Sequence, residues 1–210
     1  MFDVSPGAAR RLAFLAAFAN ALAGGLTLFV LRRGLPPQGL VTRSTFISSH
    51  RVLWQLGWLA WNAAAITLLG LFLALAARWW KRAPVSCGLA IVVATAGLGA
   101  DISAEALLAG FTGSTLSHLS LVQSEGLLLT GYVANGLYTV AGILLTAAGR
   151  KDLPVGLLAL AGLVWATGVW LSAATLLGST TGETVSTGIL IASFVVWAAL
   201  LGRWFGSLAS

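Results

Sequence analysis

Charge is what this chain has least of. Only 9% of its 210 residues are charged, against roughly a quarter in a soluble domain. With 58% hydrophobic residues and a mean hydropathy of +0.93, that scarcity excludes a solvated globule. The chain reads as an all-α, polytopic integral membrane protein. Cysteine is limited to Cys87, which excludes a disulfide framework and a cysteine-based zinc site. No long hydrophilic segment is present, so no extramembrane domain is expected. Alternation at the strand period is also missing, which removes a barrel from consideration. GxSxG, P-loop and HExxH motifs do not occur, and no cysteine stands beside a histidine. Ser103 lies between two acids but has no histidine near it in sequence, so the reading leans away from an enzyme.

Twelve Lys and Arg against six acids give a net charge of +6, which at first sight suits a nucleic-acid binder. The basic residues fall at the ends of apolar runs, however, where they face lipid headgroups and set topology. The expected partner is the bilayer, not nucleic acid.

Six apolar segments follow one another, at about 12–31, 52–77, 85–110, 127–148, 154–177 and 185–202. Each is long enough for a ~30 Å hydrocarbon core at ~1.5 Å per residue. They form one six-helix domain over residues 1–210. Eight basic residues (Arg10, Arg11, Arg78, Lys81, Arg82, Arg150, Lys151, Arg203) lie on the side of the termini. Four (Arg32, Arg33, Arg43, Arg51) lie on the other, all in one connection. The positive-inside rule then predicts cytoplasmic termini in the cell (inner) membrane. The outer connections, about 32–51 and 111–125, are the long ones. Ser48 or Ser49 is a candidate cap for the second helix.

The halves carry an echo. Ala19-Asn20-Ala21-Leu22 recurs as Ala134-Asn135-Gly136-Leu137, and Thr67-Leu-Leu-Gly70 as Thr175-Leu-Leu-Gly178. Three helices per half would make this an inverted 3+3 repeat, as many transporters have.

Chemistry concentrates in Gly97-Leu-Gly-Ala-Asp101-Ile-Ser-Ala-Glu105. Asp101 and Glu105, spaced i, i+4, share a helix face. An acid inside a membrane helix costs roughly 2.5–3.5 kcal/mol on insertion scales and calls for a partner or water. The fourth segment carries Glu125, Tyr132, Asn135, Thr139 and Gly142 at helical spacings, and the second carries Arg51, Gln55, Trp58 and Asn62. The outer half of the bundle should therefore hold a polar cavity. Asp101, Glu105, Asn62, Tyr132 and Asn135 are the candidate ligand or cation groups, and Trp58 and Trp61 are walls for a flat or cationic ligand. The competing reading is interhelical hydrogen bonding and ordinary packing. His50, His118 and Glu125 are the candidates for a metal, although they belong to no ligand motif. No cofactor follows from the sequence.

Six helices, inward termini and a pocket beneath the first outer loop resemble the substrate-binding subunits of energy-coupling-factor vitamin importers. Ala13-x-x-x-Ala17 and Ala17-x-x-x-Ala21 are similar to the small-residue motif with which those subunits dock their partner. The resemblance implies transport and contributes no site residues. Two functions are expected in competition. One is binding or transport of a small molecule or cation in an outward cavity. The other is a structural or accessory subunit of a larger complex, with tryptophans facing lipid, quinone or pigment. Gly156, Gly162 and Gly168 would allow the close helix packing that either needs, and partner subunits or a second copy of the chain are the further partners expected.

Overall fold

Ser5 opens the first helix. Its hydroxyl accepts from the Ala8 N–H at 3.3 Å, and Pro6 occupies the first turn, where a missing N–H costs nothing. The computed structural model describes residues 4–111 and 115–208. Among them are α1 (Pro6–Phe29), a 3-10 turn (Leu31–Gly34), α2 (Leu40–Ser49), α3 (Arg51–Trp79), α4 (Pro84–Gly110) and α5 (Leu116–Leu127). A π-helical stretch (Leu128–Ala134), α6 (Asn135–Gly149), α7 (Val155–Leu176) and α8 (Thr180–Ser207) complete the chain. Six helices are long and apolar enough to cross a membrane, with residues 116–149 counting as one. The protein is an all-α six-helix membrane bundle.

Several boundaries differ from the sequence reading. α1 begins six residues before position 12 because the Ser-Pro cap extends it through Arg10 and Arg11. α8 begins at Thr180 rather than 185, with the Ser179 hydroxyl accepting from Gly182 N–H at 3.2 Å. Between α7 and α8, Gly178 takes φ +65°, the left-handed conformation that closes a helix C-terminus and suits glycine. Neither Ser48 nor Ser49 caps α3. His50 occupies that position without a side-chain capping bond, its ring turned back to the Phe46 carbonyl, and Ser48 turns back to the Thr45 carbonyl. The connection read as 111–125 is helical from Leu116, capped by Thr115; Thr112, Gly113 and Ser114 lie outside the described residues.

The spans close a ring in chain order. α1 packs on α3, α3 on α4, α4 on α6, α6 on α7, α7 on α8 and α8 on α1. Small residues let neighbours approach. Gly142 leaves room for Trp165, Gly149 for Trp79 and Gly168 for Thr139. Gly156 and Gly162 have nothing within 4 Å, so of the three glycines singled out in the fifth span only Gly168 serves packing inside the chain. Ala13 and Ala17 are buried against the ring, while Ala21 is exposed. Long apolar side chains such as Phe29, Val85 and Val155 cover the outside.

The ring is filled toward the end that holds the termini. Phe72, Leu75, Trp79, Leu145, Trp197 and Phe205 form its core there. At the rim, Asp152 accepts from Trp79 Nε1 at 3.1 Å and pairs with Arg82 at 3.0 Å, tying the α6–α7 connection to α3. The Arg82 hydrogen bond, above all, holds the Asp152 carboxyl below its ordinary pKa. A depressed folded value stabilises above the unfolded carboxylate range and is lost as pH falls through it. Asp152→Asn should therefore lower the thermal midpoint slightly at pH 7, by a contribution of no more than ~1 kcal/mol for so exposed a pair. In a pH series the two proteins should converge in acid.

The opposite end is capped by the two shorter helices. α2 and α5 cover a cluster of Leu31, Ile47, Trp54, Leu108, Phe111 and Leu119. The Gln123 amide donates to the Gly34 carbonyl at 2.6 Å and its oxygen accepts from Arg43, joining α5, the 3-10 turn and α2. Burial lowers the pKa of the Arg43 guanidinium. Alternation of Leu, Val, Phe and Ile with hydroxyl residues gave this cap too little apolar length to register as helix.

Candidate functional site

Between the filled end and the cap lies a cavity of about 530 Å³ to which all six spans contribute. Arg32, Pro36, Thr180, Glu183 and Thr187 stand toward the capped end. Deeper, at mid-helix, lie Asp101, Trp58, Trp61, Asn135, Tyr138 and Trp165.

Asp101 is the charged group of the deep part, and it is 6% exposed. One carboxylate oxygen accepts from the Thr130 hydroxyl at 2.5 Å. Thr130 reaches it because of the π-helical stretch. In an α-helix, residues five apart are rotated by about 140°, which would turn Thr130 away from Asn135. Bonding from i to i+5 over Leu128–Ala134 brings both onto the cavity wall. Asn135 donates to the Gly168 carbonyl at 2.7 Å and the Ser172 hydroxyl at 2.8 Å, so α7 fixes it. Tyr138 lies one turn further, its ring against α4 where a Cβ on Gly97 would come within 3.0 Å. Its hydroxyl faces the Asp101 carboxylate at the edge of hydrogen-bond geometry and has no other partner.

The aromatic walls are fixed to different degrees. Trp61 Nε1 donates to Thr27 at 2.8 Å, and Trp165 Nε1 to Thr146 at 2.9 Å. Trp58 is 4% exposed, and its N–H is buried with no partner. Trp54, one turn before Trp58, belongs to the cap; it donates to the Leu108 carbonyl at 2.7 Å and meets Trp58 edge-on at 5.5 Å. Trp170 is 45% exposed on the outer surface.

The structure divides the residues that the sequence grouped. Asp101, Asn135, Trp58 and Trp61 line the cavity. Glu105 and Asn62, with Gln55, line a separate open groove of about 290 Å³ between α3 and α4. Glu105 is 1% exposed and one of its oxygens has no partner. The bonds from Trp54 to Leu108 and from Gln55 to Ala109 set the antiparallel register of α3 and α4. Trp58 and Glu105 thus stand at one level, on opposite sides of the contact. Tyr132 is 39% exposed and reaches neither recess, because the π-helical turns shift it off the stripe that α-helical spacing implied.

The metal candidates do not come together. His50 is exposed at the start of α3, stacked on Phe46 at 4.7 Å. His118 and Glu125 are exposed on α5, and His118 meets Phe111 edge-on. Among the described residues no three His, Cys, Asp or Glu side chains cluster. Thr130 escaped the sequence reading; the signal was a hydroxyl and Gly131 within an otherwise apolar run.

Set against family models, curated proteins and solved structures, the chain matches none of them. Its class rests on its own geometry: an integral membrane protein whose six spans surround a polar and aromatic cavity.

Proposed function

We propose that this protein binds a small molecule in the ring cavity and carries it into or across the membrane, the cavity facing outward and both termini lying in the cytoplasm of a cell with this protein in its inner membrane. One observation carries the reading. The deep cavity wall holds a buried carboxylate with no basic partner, Asp101, which the Thr130 hydroxyl bonds and the Tyr138 hydroxyl faces, together with a Trp58 N–H that the fold leaves unpaired. Interhelical contacts built only for stability would give such a carboxylate a basic partner or leave it out, since an ionisable group inside the membrane is costly. A volume of about 530 Å³ also falls within the range of small-molecule sites. The filled core toward the termini closes the other end, as alternating access requires of one conformation.

Cysteine chemistry in a Cys87→Ser background tests this. Ser48→Cys and Ser117→Cys should react with an impermeant maleimide in intact cells, and Lys151→Cys should react only after lysis. Leu68→Cys, deep on the cavity wall, should react with a small water-soluble thiosulfonate, while Leu73→Cys on the lipid side stays inert. An inert Leu68→Cys would remove the cavity from function. Labelling of Lys151→Cys alone in intact cells would invert the orientation.

A further inference from the structure

The charge and hydrogen-bonding inventory of the cavity restricts what can occupy it. Among the described residues its deep part contains one carboxylate and no Lys or Arg, and the one basic side chain on the lining, Arg32, stands toward the capped end with Glu183. A carboxylate placed in a membrane interior without a basic partner marks a substrate or ion path by default. An anionic ligand would have to sit against Asp101 uncompensated, and a neutral one would leave it so.

The walls exclude a bare metal ion as the preferred occupant. Among the described residues Asp101 is the one carboxylate of the deep part, and Trp58, Trp61, Tyr138 and Trp165 around it offer mainly ring faces and edges rather than a shell of oxygen ligands. Hard cations need six to eight oxygens for calcium, or an octahedral set for magnesium. Aromatic faces suit an organic cation, whose charge they stabilise and whose apolar body they cover. The hydroxyl oxygen of Tyr138, facing Asp101, is a second acceptor and favours a nitrogen that still carries N–H over a fully alkylated one.

We propose that the ligand is a protonated organic amine with an aromatic or branched apolar body, its N–H groups on Asp101 and Tyr138 and its body between Trp58, Trp61 and Trp165. This rests on the cavity being a ligand site. Asp101 is then the anchor, Thr130 its positioning residue, and the Trp58 N–H receives an acceptor on the ligand's body where one exists.

Three probes of one shape test the class: 2-phenylethylammonium, neutral 2-phenylethanol and the phenylacetate anion, titrated calorimetrically into the protein in nanodiscs at neutral pH. The ammonium should bind about tenfold or more tighter than the alcohol, and the anion weakest. Asp101→Asn should abolish that preference. Tyr138→Phe, which keeps the ring against Gly97, should weaken the ammonium several-fold and leave the alcohol unchanged, so the class stays testable if Asp101→Asn does not fold. Equal binding of all three probes, or binding of none while Leu68→Cys reacts, overturns the amine class and leaves the cavity standing. Binding of none together with an inert Leu68→Cys overturns both.

Discussion

Gly142→Leu should be among the most damaging single substitutions in this chain, lowering stability by about 3 kcal/mol or more. The Trp165 ring already occupies the space a Cβ at 142 would fill. That ring is not free to move. Its N–H is held by Thr146, and it meets Phe72 edge-on at 6.2 Å and Trp197 at 5.4 Å. Relief would require breaking that bond or separating α6 from α7. The gain in helix propensity on leaving glycine is only about 1 kcal/mol, so the clash decides the sign. Gly156→Leu is the control. It makes the same change at an exposed position with open space around it, and should be neutral or slightly stabilising. Thermal unfolding of both variants in one detergent reads the difference, and equal midpoints would mean that the α6–α7 contact is not packed as described.

How much of this could be read in the sequence depends on which force set each feature. The six spans follow from apolar length alone, and no packing detail could have displaced them. Asp101, Asn135, Trp58 and Trp61 were legible as cavity residues because polar or amphipathic side chains are few in such runs. Their division from Glu105 and Asn62 was not. Residues at i and i+4 differ by about 40° around a helix, which is enough to straddle the line where α4 meets α3. Only the register set by Trp54 and Leu108 decides which side each takes. The π-helical stretch was invisible for a similar reason. Leu-Leu-Thr-Gly-Tyr-Val-Ala has no mark of i+5 bonding, and the groups it meets, Asp101 and Thr175, come from other helices. The cap helices were lost because their apolar faces are short and pack only on one another and the bundle end.

The second large effect joins site and stability with opposite signs. Leu68 is partly buried on the cavity wall, where that wall meets the filled core. A tryptophan there would extend into space the fold leaves open instead of into packed core, so it should not carry the overpacking cost expected at Gly142. It would instead cover apolar wall and exclude ligand. Leu68→Trp should leave the thermal midpoint unchanged or raise it. Binding of 2-phenylethylammonium should fall about tenfold or more, which corresponds to about 1.4 kcal/mol. The affinity of that one variant for that one amine, measured beside its thermal midpoint, tests the cavity as the binding site most directly. Lost binding in a fully folded Leu68→Trp protein is the predicted result; undiminished binding in the plugged protein would contradict it.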